Sequence, residues 1–540
     1  MPTLTPWLDR LKHTAAPAIT TLLLATSAPA ALAQTTAPTT QPVRGGVLTA
    51  SLFPEPPSLN LGLQPTQTVQ IPGSKIYESL LTFSPDLQPQ PSLAKSWSVS
   101  DDQLTWTFQL QNNVQWHDGK PFTSADVVFS YQNILTNSSS LRPLLQTIDK
   151  IEAPDAHTVV FQLKQPYSPF LYTFDISIAA ILPKHLYEGT DFASNPHNNT
   201  PIGTGPFKFV KWERGSYIEL ARNPNYWRKD LPYLDGITYR VIPDAASRRT
   251  AMEQGTIMQM LPTEFEPSDI AAFSKNKNIK KITGGYEYWA PVNWIEMNNA
   301  VPPFNDKRFR QALMHALDRQ FIIDKIRFGM GRLATGPFHH KLRYYTDDVK
   351  KYDVDIKKSI ALLDEMGLKP DAKGVRATVS MMPLPFGEVY RRIAEYTKAS
   401  FSKIGVVVNI EAVDFPTWLR RMGNGEFEML GGALFQYGDP AIGVARSYVS
   451  SNIRKGVPFG NTSQYKNPKI DELFAQAERA PESQRSALYA EIQKILVEDV
   501  PLLWLWSTDD FTFFNTRVQN AMSNALGPAG SYAEVWLSAQ

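Results

Sequence analysis

The chain has 540 residues, 43% hydrophobic and 20% charged, with 42 prolines, no cysteine and a formal net charge of +2. Its length supports a large core and more than one lobe, at roughly 100–200 residues per domain. The near-balance of charge argues against nucleic acid or an anionic membrane as partner, and the lack of cysteine excludes disulfides and thiolate metal sites.

Residues 1–33 read as a targeting segment. Arg10, Lys12 and His13 precede an apolar run from Ala15 to Leu32, and Ala31-Leu32-Ala33 fits the small-x-small cleavage pattern. Pro17, Thr20, Thr21, Ser27 and Pro29 break the run, which disfavours a spanning helix. Cleavage after Ala33 by the general secretory route is expected. A lipoprotein needs Cys next, and Gln34 stands there. Residues 34–43, rich in Thr, Ala, Gln and Pro, are expected as a flexible leader.

Folded structure is expected from Arg44. A strand through Val47-Leu48-Thr49-Ala50 leads into a proline-stiffened loop, Phe53-Pro54-Glu55-Pro56-Pro57. Ile76 to Leu81, "IYESLL", reads as a helix. Leu104, Trp106, Phe108 and Leu110 alternate with Thr105, Thr107 and Gln109, the pattern of a half-buried strand. Asp118-Gly119 marks a tight turn, and Thr123 with Asp126 three residues on marks a helix start. Val159, Phe161 and Leu163 alternate as another strand. Gly203-Thr204-Gly205 has the wrong spacing for a phosphate loop and no helix after it, so it reads as a chain turn.

Asp306 opens an amphipathic stretch through Phe309, Leu313, Ala316, Leu317 and Phe321, read as one helix ending near Gly329. Beyond it helices and strands alternate: helix 356–366, strand 378–382, helix 389–404, strand 406–412, helix 415–422 and strand 427–430. This is an α/β lobe. Pro501 to Trp506 and Phe511 to Phe514 are expected to return the chain to the first lobe.

Catalytic signatures are missing. There is no Gly-x-Ser-x-Gly and no His-Glu-x-x-His. His339-His340 is the one histidine pair and lacks further ligands at metal spacing, so no metal, cofactor or enzymatic activity is expected. Two aromatic clusters stand out: Tyr286 to Trp294, and Phe435-Gln436-Tyr437-Gly438-Asp439-Pro440 after a strand, where ligands usually meet an α/β lobe.

The wording of several segments resembles the peptide/nickel family of solute-binding proteins, the capture subunits of ABC importers. They are "LAKSW" (92–97 region), "LTWTFQL" (104–110), "WHDGKPFTSADV" (116–127, with Ser124 inserted), "GTGPF" (203–207), "NPNYW" (223–227) and "PPFNDKRFRQALMHALDRQFI" (302–322). The resemblance runs from about Arg44 to the end. It implies a periplasmic binding protein-like α/β fold of class II: two lobes joined by a hinge, plus an inserted domain. Domain I would comprise 44–75, 200–297 and 508–540, domain II 76–199 and domain III 298–507. It also implies a periplasmic monomer that closes on a peptide or peptide-like solute and passes it to an inner-membrane permease with its ATPase subunits. Alternatives are a non-peptide solute (an opine-like conjugate, an oligosaccharide, or a nickel or haem complex) or a secreted hydrolase. The expected ligand-binding residues are Phe53, Glu55, Tyr288, Trp289, Trp294, Phe386, Phe435, Gln436, Tyr437 and Asp439.

Two departures from the family matter. Gln436 stands where peptide-binding relatives carry an Asp for the ligand's ammonium. Pro383 to Glu388 contains no Arg for its carboxylate. Glu55, Glu296, Asp414 or Asp439 are the candidates to replace the missing negative charge.

Overall fold

A computed structural model of the protein describes residues 41–63, 66–134 and 141–539; the targeting segment and most of the leader lie outside them. Three sheets organise the chain. The first has seven strands in the order Ile279–Thr283, Phe511–Asn515, Gln259–Met260, Val47–Ser51, Gly236–Arg240, Tyr217–Arg222 and Phe207–Glu213. Val47–Ser51 lies parallel to Gly236–Arg240, with Thr49 opposite Thr238. The second has six strands in the order Arg332–Leu333, Leu502–Ser507, Val292–Met297, Met429–Leu434, Ala377–Met382 and Val406–Ile410. The third is a four-stranded antiparallel sheet built from Ala94–Val99, Thr105–Leu110, Thr158–Leu163 and Ile148–Asp155.

The third sheet shares a core with the first. Phe108, Phe161, Phe170 and Phe174 interlock by edge-on and tilted ring contacts and belong to the same buried cluster as Leu48, Ile237 and Tyr239. The join is tight at Gly203 and Gly205. A Cβ at Gly203 would lie 1.8 Å from the Ile76 carbonyl oxygen, and one at Gly205 would lie 2.6 Å from that of Lys75. The two glycines therefore serve close backbone approach, which is why the segment turns without a phosphate-binding helix.

The second sheet carries its own core, with helices Lys307–Ala316, Ile356–Glu365, Glu388–Ser402 and Glu482–Asp499 packed around it. Hence there are two lobes. The chain crosses between the first and second sheets after Thr283 and again through Thr508 to Asp510.

Local expectations fare unevenly. Gly119 takes φ +88°, as its turn requires, and the Thr123 N–H donates to Asp126 Oδ2 at 2.9 Å at the start of helix Ser124–Phe129. "IYESLL" is not a helix: helix Gln67–Ile76 ends there, Tyr77 is extended, and Leu81–Phe83 is a strand. Glu78 explains the change. It is drawn inward to accept hydrogen bonds from Tyr226, Trp227 and Thr204. The 309–321 helix is interrupted at Leu317, which is extended. Asp318 caps a new turn, and buried Arg319 donates to the carbonyls of Ala334, Tyr352 and Trp504.

Val292–Met297 pairs with Met429–Leu434 and Leu502–Ser507, so it belongs to the second sheet and not with domain I. Leu502–Ser507 likewise stays in the second lobe, and Phe511–Asn515 makes the return. Both strands are buried on both faces, so alternation could not assign them to a side.

Gly203→Ala is expected to destabilise the protein by about 3 kcal/mol through forced overlap with the Ile76 carbonyl. Urea unfolding at unchanged m-value would read the loss.

Candidate functional site

The segment after strand Met429–Leu434 is bound to the first crossing by backbone and by rings. The Gln436 N–H donates to the Trp289 carbonyl at 2.6 Å, and the Gly438 N–H to that of Tyr288 at 3.0 Å. Trp289 stacks on Phe435 with centroids 4.7 Å apart, and Tyr288 lies 5.9 Å from Tyr437. Tyr437 is held at φ +50°, a left-handed conformation costly for a side chain this bulky. Residues 172–177 complete the cluster: Ser177 accepts the Trp289 indole N–H at 3.1 Å, and the Tyr172 carbonyl accepts the Tyr288 hydroxyl at 2.6 Å.

Asp439 fixes the cluster from beneath. Its carboxylate meets Arg485 in two 2.8 Å contacts and also accepts the Ala441 N–H, capping the turn Pro440–Gly443. Both partners are sealed from solvent, at 0% and 1% exposure. Burial alone would loosen the guanidinium proton, but Asp439 and Tyr489 outweigh it, and the net effect holds Arg485 charged. The same two terminal nitrogens donate to the Tyr344 and Tyr489 hydroxyls at 2.9 and 3.0 Å, and Nε donates to the Ala477 carbonyl at 3.0 Å.

Between the second sheet and helix Glu388–Ser402 lies a small crevice with about 10 Å³ of free space, room for roughly one water. Trp294, Trp506, Tyr390, Met381 and Leu384 line it, together with Gly431 and Gly432. The glycines leave the room: a Cβ at Gly432 would stand 3.0 Å from Trp294 Nε1. The Trp506 indole N–H is buried and has no hydrogen-bond partner. Tyr390 lies 6.4 Å from the Trp506 ring and donates to Asn293 Oδ1 at 3.2 Å.

Of the ten expected site residues, Tyr288, Trp289, Phe435, Gln436, Tyr437 and Asp439 meet in the aromatic cluster, and Trp294 lines the cavity. Phe386 follows the cavity-lining loop and packs on Phe415 at 5.1 Å. Phe53 and Glu55 sit apart in the first lobe. Arg248 covers the Phe53 ring at 4.5 Å, and Glu55 accepts the Trp212 indole N–H at 2.8 Å and the Gly215 N–H at 3.0 Å.

The replacement carboxylates are all committed. Glu55 holds that hairpin, Asp414 caps helix Phe415–Asn424, Asp439 pairs with Arg485, and Glu296 accepts from Thr462 and Trp294. Gln436 is also occupied: Pro337 accepts its amide N–H at 2.7 Å, and its oxygen takes the His339 N–H at 2.9 Å. Residues that sequence reasoning passed over are Arg485, Tyr390 and Trp506. Their roles depend on partners 46 to more than 100 positions away.

The buried histidines His339 and His117 are fasteners. His339 joins the Thr508 carbonyl at 2.8 Å and accepts the Lys341 N–H at 3.1 Å, and burial lowers its pKa to about 4. His117 bonds the Gly205 carbonyl at 2.9 Å and is likewise lowered to about 4 by burial. Among the described residues, no three potential metal ligands gather at one place.

Two sheets with separate cores, bridged by crossing segments, give the two-lobed architecture of solute-binding proteins. The chain belongs to family 5 of the bacterial extracellular solute-binding proteins, whose middle-region model matches residues 88–455. It is 28% identical over 460 residues to the probable D,D-dipeptide-binding periplasmic protein DdpA of Escherichia coli, covering 83% of this chain and 86% of that one. Among solved structures it resembles the oligopeptide-binding protein AppA of Bacillus subtilis in complex with a nonapeptide, at 27% identity and TM-score 0.82, covering 92% of this chain and all of that one. It also resembles the periplasmic binding protein DppA of Helicobacter pylori in complex with the peptide STSA, at 26% identity and TM-score 0.83, covering 92% and 99% of the two chains.

Asp439→Ala is expected to cost about 3–5 kcal/mol by leaving Arg485 buried without its counter-charge. Chemical denaturation at neutral pH measures it. A second expectation concerns Glu296, which burial raises to about 7. An unfolded Glu titrates near 4.3. The neutral acid is therefore favoured by folding, and its stabilisation is full below about 4.3 and lost as pH rises through about 7. Glu296→Gln mimics the neutral acid, so its stability relative to wild type is expected to rise with pH across that window. A pH series of melting curves would show it.

Proposed function

We propose that the protein is the periplasmic capture subunit of an ABC importer, which encloses a peptide-like solute between its lobes and delivers it unaltered to an inner-membrane permease. The single observation that carries this reading is the two-lobed build, two sheets with separate cores bridged by the crossings at 284–291 and 508–510. Membership of the solute-binding family supports it, as do relatives named for dipeptide and oligopeptide binding. The expected division puts domain I at 44–75, 200–297 and 508–540 and domain II at 76–199; we move the 297/298 boundary back to 291/292, because Val292–Met297 pairs within the second sheet. The second lobe then starts at Val292. Closure would pivot on residues 284–291 and 508–510.

The reading also accounts for where polar groups are spent. A capture protein has to present a closed, dry surface to its solute, and here Glu296, Asp439, His117 and His339 are engaged inside the fold. No helix among the described residues is long and apolar enough to cross a membrane. Periplasmic export, removal of residues 1–33 and a monomeric state belong to the same reading. Chemistry on the solute does not.

Native mass spectrometry of protein purified from the periplasm is the test, and a bound, chemically intact small solute is expected. At 100 times its dissociation constant that solute is expected to add about 2.7 kcal/mol of stability. Phe435→Ala, which removes the ring stacked on Trp289 at the first crossing, is expected to cut that gain by more than half. Release of a cleaved product would refute the reading.

A further inference from the structure

The pair His339-His340 sits against the return crossing and holds it residue by residue. His339 Nε2 bonds the Thr508 carbonyl at 2.8 Å. His340 meets the Ser507 hydroxyl through Nδ1 at 2.7 Å and Asp509 Oδ1 through Nε2 at 3.1 Å. The two rings stack with centroids 4.3 Å apart. The same loop is tied to the first crossing. The His339 backbone N–H donates to Gln436 Oε1 at 2.9 Å, and the Gln436 backbone N–H donates to the Trp289 carbonyl at 2.6 Å. Hydrogen bonds therefore run from Trp289 through Gln436 and His339 to Thr508 and link the two crossings. Gln436 suits this place because its amide also donates to the Pro337 carbonyl at 2.7 Å. An ionised Asp there could accept from His339 but could not donate to Pro337.

The partners of His339 fix its protonation state. A carbonyl only accepts, so Nε2 carries the hydrogen. The Lys341 N–H donates to Nδ1 at 3.1 Å, so Nδ1 keeps its lone pair and the ring is neutral. A second proton would set two N–H groups against each other at Nδ1, in a residue only 2% exposed. His340 differs. Asp509 accepts its Nε2–H, and the Ser507 hydroxyl can turn from donor to acceptor, so a proton there costs no contact. The charged groups facing the pair are Lys341 on the same loop, Arg332 on the edge strand Arg332–Leu333 and Asp509 on the crossing. Asp509 acts on His339 but is already shared among Arg332, His340 and Lys341 at 3.3, 3.1 and 3.0 Å. On the Gln436 loop, Asp439 is bound to Arg485.

We propose that His339 is an acid-released clasp, which yokes the two crossings while neutral and lets the lobes turn apart once it takes a proton. This goes beyond the capture reading and does not depend on which solute is held. Burial acts in the required direction, lowering His339 to about 4 against about 6.5 for a free histidine. The clasped state thus binds the proton less tightly than the released state. Its advantage is full above about 6.5, shrinks as pH falls, and is lost below about 4.

The chain has no cysteine, so paired spin labels can be placed without interference. Lys164→Cys and Ser483→Cys put exposed labels on either side of a contact between the lobes, where the Ser168 N–H and hydroxyl bond the Glu478 and Ala480 carbonyls. Pulsed electron spin resonance on the mature labelled protein, with no solute added, reads their separation. A longer distance is expected to gain population by up to about tenfold per pH unit between about 6.5 and about 4, reversibly and with near-UV circular dichroism unchanged. His339→Gln is expected to abolish this pH dependence and His340→Gln to keep it. A distance that stays constant across the range overturns the proposal. So does lengthening that comes with loss of the near-UV signal, or that persists in folded His339→Gln. If that variant misfolds, ring-nitrogen NMR of wild type decides. A neutral His339 with its hydrogen on Nε2 at neutral pH, titrating together with the distance change, is expected; a charged ring at neutral pH, or a midpoint apart from the distance change, overturns the assignment.

Discussion

The buried pair of Asp439 and Arg485 is the contact on which the rest of the site depends. It joins the loop after strand Met429–Leu434 to helix Glu482–Asp499, far apart in sequence, and its geometry is bidentate. Two charges sealed from water stabilise little in net terms, but they tolerate few alternative arrangements. The loop is consequently held where Gln436 and Gly438 can bond the first crossing, and where Phe435 and Tyr437 meet Trp289 and Tyr288. The left-handed backbone at Tyr437 persists because these contacts surround it.

A second theme is the separation of structural from available charge. Burial raises Glu78, Asp175, Glu264 and Glu296 to about 7, so the core can hold them neutral near physiological pH. Each still accepts hydrogen bonds: Glu264, for example, receives the Phe53 and Leu261 N–H groups. Polar residues that look like binding groups on paper are thereby converted into internal joints.

Much of the architecture was legible in the sequence, and the reasons differ by element. Alternation exposed the strands of the inserted sheet, because each has one dry face. The family-like wording located the lobes. Alternation could not place Val292–Met297 or Leu502–Ser507, which are buried throughout and carry no sidedness. The break at Leu317 was hidden because its cause, the carbonyls of Ala334, Tyr352 and Trp504 gathering around Arg319, is entirely tertiary. The aromatic cluster was readable from composition and position. The engagement of Gln436 was not, since its partners lie in a loop about a hundred residues upstream. Asp509 and Asp510 read as identical twins, and only the placement of three cations distinguishes them.

The return from the second sheet to the first takes three residues, Thr508 to Asp510. Fully stretched, three residues reach only about 10 Å. A tether so short cannot absorb rotation as slack. Any rotation between the sheets must be taken up in the backbone torsions of these few residues, and deleting one of them would drag two interior strands out of alignment together.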